Sequence, residues 1–129
     1  FQAAINGQLR GHLGSPMWAA LVSFAVGISA IALALLVQRA PLPTNLSAVP
    51  VWQWLGGGLL GASYIVLSIM LPPKLGVALT FGLIVAGQLS MSLLLDHYGL
   101  LGFAQHAINP WRALGAALIV AGVVLIRKF

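Results

Sequence analysis

The chain has 129 residues, of which 60% are hydrophobic and 5% are charged, and its mean hydropathy is +1.04. A soluble core of this size could not bury so much apolar surface, so the composition excludes an ordinary soluble domain and indicates a protein in lipid. Six Lys and Arg residues oppose a single Asp. Because each basic residue lies near the end of a hydrophobic run, this charge indicates headgroup anchoring rather than nucleic-acid binding.

Hydrophobic runs predict an all-α integral membrane bundle, with residues 1–129 as a single transmembrane domain. Full transmembrane helices are expected at about 16–37, 52–71, 75–95 and 110–126. Residues 1–9 make about half a span, so we interpret them as the end of a first transmembrane helix whose beginning is missing. A short re-entrant or interfacial segment is the alternative. Tryptophans at the starts of the spans resemble an aromatic belt, and they are Trp18, Trp52, Trp54 and Trp111.

The first segment carries two amides, Gln2 and Asn6, which are four residues apart and therefore face the same way on a helix. They either hydrogen-bond to neighbouring helices as glue or line a polar pathway, and both interpretations remain open. A polar turn is expected from Arg10 to Gly14. The second helix then begins at Ser15-Pro16, a typical cap, and presents a face of small residues: Ala20, Ser23, Gly27, Ala30 and Ala34.

The third helix carries a cluster on one face, formed by Gly57, Gly61, Tyr64 and Ser68. The glycines would let a partner backbone approach closely, and the two hydroxyl residues would then meet that partner or a cavity. Pro72-Pro73 ends this helix, since the residue before a proline avoids helical geometry.

The fourth helix has two distinct faces. Small side chains recur every four residues and predict a ridge against which another helix packs; the ridge consists of Ala78, Gly82, Ala86 and Ser90. Gln88 and Ser92 lie on a different face and are the preferred lining of a substrate pathway. We predict this ridge to face a helix rather than lipid, because lipid tails gain nothing from small residues.

Asp96 is the only acidic residue of the chain and is followed by His97. The favoured interpretation is that Asp96 caps the helix or pairs with Arg112 at the membrane interface, and a proton relay through Asp96 and His97 is the alternative. The spacing matches no metal-binding pair, so we expect no metal and no cofactor. The last helix places Gly115 and Gly122 on one face. No catalytic or phosphate-binding motif occurs, so we expect no enzymatic activity.

Several stretches, in this order, resemble the short YdcZ-like family of bacterial inner-membrane proteins in the drug/metabolite transporter superfamily. They are QAAINGQL, GSP, the pattern A(x)LVSF(x)VG, then GGLLGASYIV, PPKLG, GQLSMSLLLDHYG and RALGAALIVAGVVLI. The resemblance covers nearly the whole chain and implies about five transmembrane helices, or half of a ten-helix transporter with two inverted repeats. Related small multidrug resistance proteins use a glutamate in their first helix. This chain has no glutamate, which argues against cation–proton exchange of their kind.

We therefore predict a half-size subunit of an alternating-access transporter for a small metabolite, located in the bacterial inner membrane. A membrane interaction or scaffold subunit that transports nothing is the alternative. A continuous pore is a third possibility, but the sequence contains no signature of a selectivity filter. The expected partners are lipid, a small-molecule substrate and a second subunit, but no nucleic acid. Basic residues divide four against two between the sides of the membrane, a weak bias that permits both orientations. An antiparallel homodimer is favoured over a parallel pair or a separately encoded second half.

Overall fold

The computed structural model describes residues Phe1 to Phe129 and consists of α-helices joined by loops, without β-strands. The helices are α1 (Gln2–Leu13), α2 (Pro16–Val37), α3 (Val51–Met70), α4 (Pro72–Leu75), α5 (Val77–Tyr98) and α6 (Pro110–Lys128). Two short 3₁₀ turns lie in the loops at Leu46–Ala48 and Leu100–Gly102. The predicted all-α class is therefore confirmed.

Four helical segments are long and apolar enough to cross a membrane, as judged by length and composition. They are Pro16–Val37, Val51–Leu75, Val77–Tyr98 and Pro110–Lys128. The prediction of four full spans is confirmed, and the second of these segments contains both α3 and α4. Contacts group the chain into two compact units, Phe1–Met70 and Leu71–Phe129. The single domain expected from the sequence stays a prediction.

Helix α1 is longer than the sequence suggested. The predicted polar turn after Leu9 is wrong, because Arg10 to Leu13 continue the helix. Gly14 ends it instead: this residue adopts a left-handed conformation with φ of 69°, and its N–H donates to the Arg10 carbonyl at 2.8 Å. Arg10 therefore projects from the last turn of a helix rather than from a loop.

The first unit, Phe1–Met70, packs α1, α2 and α3 around a small core. Ala19 and Ala20 of α2 are buried against Ile69 of α3, with Leu9 of α1 and two residues of α3 around them. Alanines at this point allow close approach of the helix backbones, as is usual where van der Waals packing drives helix association in lipid. The predicted cap of α2 is also present, since the Ser15 hydroxyl accepts a hydrogen bond from the Met17 N–H at 3.2 Å.

The second unit, Leu71–Phe129, is built on the contact between α5 and α6. Gly82 of α5 lies directly against Val123 of α6, so that a Cβ atom at position 82 would come within 3.0 Å of a valine methyl group. Thr80 is fully buried and donates its hydroxyl to the Gly76 carbonyl at 2.8 Å. Because this hydroxyl is satisfied by its own helix, the residue can be buried at little cost.

Candidate functional site

Asn6 is a buried polar residue of the first unit, only 5% exposed, and unlike the equally buried Ser68 it bonds to another helix. Its Nδ2 donates a hydrogen bond to the Ser23 Oγ of α2 at 3.3 Å. Helix α1 can bury this amide because Ser23 supplies an acceptor on the facing helix. The pair therefore joins α1 to α2 through two uncharged polar side chains.

An open groove of about 440 Å³ lies between α1 and α2 at this pair. Three polar and four aliphatic residues line it: Gln2, Asn6 and Ser23, with Ile5, Leu9, Val22 and Val26. The structure thus brings Gln2 and Asn6 together on one surface, as their spacing predicted. Ser23 was assigned from the sequence only to a small-residue packing face. Its partnership with Asn6 depends on the register of two helices, which no local sequence signal reveals.

The polar pair of the groove lies well away from the turn that joins α1 to α2. Asn6 precedes the end of α1 at Leu13 by seven residues, and Ser23 follows the start of α2 at Pro16 by seven residues. At 1.5 Å per residue, each side chain is about 10 Å along its helix from the shared turn. Both side chains therefore lie on the apolar side of Arg10 and Trp18, the residues expected at the membrane interface.

Arg10 contacts the end of α3 inside the same unit. Its Nη1 donates to the Ile69 carbonyl at 3.4 Å. In a regular helix this carbonyl would accept the N–H of residue 73, but residue 73 is a proline and has none. Ile69 is only 1% exposed, so an unpaired carbonyl here would be costly. The guanidinium supplies the donor that Pro73 lacks.

The two pathway candidates on α3, Tyr64 and Ser68, differ in burial. Ser68 is buried, and its hydroxyl donates to the Ile65 carbonyl of its own helix at 2.8 Å. Tyr64 is exposed. Of the glycines predicted on this face, Gly61 approaches the Phe24 ring of α2, whereas the space around Gly57 is open. A pathway role for the two hydroxyl residues stays a prediction.

The candidates on α5 lie in the second unit. Gln88 and Ser92 are both exposed, and neither side chain makes a hydrogen bond within the chain. In the predicted ridge, Gly82 faces α6 and Ala86 is half-buried. The two remaining ridge residues are exposed, and they are Ala78 and Ser90.

The glycines predicted on one face of α6 both have open space where a Cβ atom would lie. Gly115 borders a groove of about 290 Å³ between α5 and α6. Gly122 is half-buried on the same helix, next to Val123, the residue that α5 contacts. Their role in helix packing stays a prediction.

Asp96 and Arg112 form an ion pair between the end of α5 and the start of α6, so this favoured pairing is confirmed. Arg112 also donates to the His106 carbonyl at 2.8 Å, and the His106 N–H donates to the Asp96 carbonyl at 2.7 Å. The Nδ1 atom of His97 accepts the Ile108 N–H at 3.2 Å. These bonds fix the connecting segment across both helix ends. A proton relay stays a prediction, and no three His, Asp or Glu side chains are grouped to hold a metal ion.

Comparison with known proteins identifies the chain by family. Residues 1–125 match a protein-family model, DMT_YdcZ, that is described as "Putative inner membrane exporter, YdcZ". This match covers nearly all of the chain, so the chain belongs to that family, as the sequence stretches quoted above indicated. No curated protein and no solved structure matches the chain. With its four membrane-spanning helices, it is a multi-pass protein of the inner membrane.

Proposed function

We propose that this member of the YdcZ family is a half-size subunit of an exporter that moves a small metabolite by alternating access, as a dimer. The observation that carries the proposal is the family match over residues 1–125 together with four membrane-spanning helices. Secondary transporters of this type bind their substrates near the bilayer midplane, between repeats. The groove at Asn6 and Ser23 offers polar groups on the face of α2, one of the membrane-spanning helices.

The proposal of a second subunit is supported by α5. Gln88 is an exposed amide without a hydrogen-bond partner in the chain. In contact with lipid tails such a group is unfavourable, because the hydrocarbon offers no donor or acceptor. A second subunit, or a water-filled pathway between two subunits, would supply partners for Gln88 and for Ser92 one turn later. We therefore propose that these residues face the dimer interior.

We favour an antiparallel homodimer, since two inverted copies would reproduce the inverted repeats of longer transporters. A parallel pair, or pairing with a separately encoded second half, is the rival arrangement. The chain contains no cysteine, so a single cysteine placed after Phe129 would be a unique label. Labelling from both sides of the membrane supports mixed orientation, and strictly one-sided labelling of a dimer contradicts it.

A non-transporting scaffold subunit is the second candidate function. The direct bond between Asn6 and Ser23 favours it, because interhelical hydrogen bonds of this kind also act as glue, worth about 0.6 kcal/mol each. In either case we propose that the chain binds its partners without cofactors and performs no enzymatic reaction.

Solute-dependent thermal stabilisation, followed by counterflow in proteoliposomes, separates the two functions. An exporter is stabilised by a metabolite from a library, and the same metabolite exchanges across vesicles that contain the protein. A protein that folds and dimerises, but is stabilised by no metabolite and exchanges none, is a scaffold. Empty vesicles control for leakage, and the variant Leu93→Val controls for the effect of a conservative change in α5.

A further inference from the structure

The geometry points to the groove between α1 and α2 as a binding site for an uncharged solute that carries a carboxamide group, with Asn6 as the recognition residue. This inference rests on the proposed exporter function, because it names the class of substrate. The groove volume of about 440 Å³ is sufficient for a small metabolite. Asn6 leaves part of its hydrogen-bonding capacity unused.

An asparagine side chain has two N–H donors and a carbonyl oxygen that accepts. In the structure the side chain makes a single hydrogen bond, from Nδ2 to Ser23. Its carbonyl oxygen accepts no hydrogen bond. The structure contains no side-chain oxygen or nitrogen atom that is both fully buried and without a hydrogen-bond partner. The oxygen must therefore reach the accessible surface, although the residue is 95% buried, and the groove is the surface that Asn6 lines. Asn6 thus presents an acceptor to the groove, and its Nδ2 has one N–H more than the bond to Ser23 uses.

The ligand that suits these groups must both donate and accept. A primary carboxamide does so, because its N–H can donate to the free oxygen of Asn6 while its oxygen accepts from an amide N–H of the lining. Gln2, four residues earlier, lines the groove with a second free amide. The aliphatic lining, such as Val22 and Val26, would then contact an apolar body.

A charged ligand is disfavoured by the same surface. None of the seven lining residues carries a charge. Arg10 lies on α1 one turn after Asn6, but its guanidinium is directed to the Ile69 carbonyl of α3. Transfer of an ionised carboxylate or ammonium group into this groove would remove its hydration without supplying a counter-charge, which is far more costly than the transfer of an amide.

The test uses three probes that share one side chain and differ in charge. N-acetyl-leucinamide is neutral, and at pH 6.5 N-acetyl-leucine is an anion and leucinamide is a cation. Binding to the purified full chain in detergent is measured by thermal stabilisation. We expect the neutral probe to bind at least tenfold more tightly than either charged probe. Equal or tighter binding of a charged probe, or no binding of the neutral probe, overturns the inference.

The location of binding is tested by Asn6→Leu, with Ser29→Ala as the matched control. Ser29 is on α2 but outside the groove, and its hydroxyl bonds to its own helix at the Ala25 carbonyl. We expect Asn6→Leu to lose at least tenfold in affinity for the neutral probe and Ser29→Ala to keep it. Unchanged affinity in Asn6→Leu overturns the assignment.

A second measurement does not depend on whether Asn6→Leu folds. The variant Val26→Cys places a unique thiol at the groove, and Ile28→Cys places one two residues later, on the opposite side of α2. The neutral probe should slow thiol modification at position 26 at least fivefold and leave position 28 unchanged. Equal protection at both positions, or none at position 26, contradicts binding in the groove.

Failure of the inference is distinguishable from failure of the exporter proposal. If counterflow of a charged metabolite is measured and Asn6→Leu preserves it, the chain is an exporter whose substrate does not use this groove. If the neutral probe binds at Asn6 but no solute exchanges across vesicles, the site stands and the exporter proposal fails.

Discussion

The contact between Gly82 and Val123 makes the sharpest stability prediction. A Cβ atom at position 82 would lie 3.0 Å from the Cγ2 atom of Val123 and 3.8 Å from its Cβ and Cγ1 atoms. Carbon atoms are optimally separated by about 3.5–4.0 Å, so the closest pair would be too close by about 0.5 Å. Valine cannot rotate away easily, since its χ1 angle has one strongly preferred value in a helix. We expect Gly82→Ala to destabilise the protein by about 1–3 kcal/mol.

The matched control is Gly87→Ala. Gly87 lies on the same helix with nothing within 4 Å of its would-be Cβ atom. There the substitution only reduces the freedom of the unfolded backbone, so we expect no loss and a gain of up to about 1 kcal/mol. Gly82→Leu should be worse than Gly82→Ala, because the larger side chain must separate α5 from α6, whereas Leu93→Val should be tolerated.

The free energy of unfolding can be measured by titration with sodium dodecyl sulfate, with tryptophan fluorescence as the signal. A double mutant, Gly82→Ala with Val123→Ala, tests the mechanism, because the shorter side chain removes the clashing methyl group. We expect the double mutant to be more stable than the sum of the single effects predicts, by about 1 kcal/mol. Equal stability of Gly82→Ala and Gly87→Ala, or strict additivity in the double mutant, would refute the close approach of the two helices.

Three further predictions concern polar side chains. Arg10→Ala should lower the free energy of unfolding by about 1–2 kcal/mol, because it leaves the last buried carbonyl of α3 unpaired, whereas Arg127→Ala should have little effect in the same titration. Asp96→Asn should cost about 1 kcal/mol, and Arg112→Gln should cost less in the Asp96→Asn background than in the native chain; equal losses in both backgrounds would show that the two side chains do not act as a pair. Gln88→Leu should leave the protein folded and abolish counterflow, so a folded variant with normal exchange removes this residue from the pathway.

The helix limits that the sequence predicts best are those with explicit start signals. Ser15 and Pro16 specify the beginning of α2, and the structure begins this helix at the predicted residue. Pro110 does the same for α6, which begins at the predicted residue, and the structure adds a cap there, since the Asn109 Oδ1 accepts the Arg112 N–H at 2.9 Å. Helix starts are predictable because a cap side chain and a proline act locally, on backbone groups within three residues.

The end of α1 was harder to predict, since hydropathy and helix geometry disagree there. Arg10 ended the apolar run and therefore suggested the end of the helix. A helix, however, ends where its backbone bonds end, and Gly14 provides the left-handed residue that closes the last turn. A polar side chain near the interface is fully compatible with helical backbone, because the long stem can carry its charge towards a polar partner.

The candidate site could also be predicted only in part. The spacing of Gln2 and Asn6 was enough to predict that their side chains share a face, because this follows from the period of one helix. The partner, Ser23, could not be predicted in the same way. A serine among alanines and glycines indicates close packing, and only the relative register of α1 and α2 decides which amide it meets. A hydrogen bond between residues that are 17 positions apart has no local signal.

The contact of Arg10 with α3 has no local sequence signal either. Pro72 and Pro73 indicate that α3 ends before them. Because prolines have no backbone N–H, two carbonyls of α3 lack their helical donors. The sequence therefore predicts that an outside donor is required. The donor is not visible, because it comes from another helix, 59 residues away from Ile69. Headgroup anchoring is a sufficient explanation for an arginine at the membrane interface. The sequence therefore gives no reason to expect that Arg10 also donates to a carbonyl of α3. Once α1 is extended to Gly14, the guanidinium lies within reach of the freed carbonyl. One side chain then links α1 to α3 at the point where the prolines interrupt the helix.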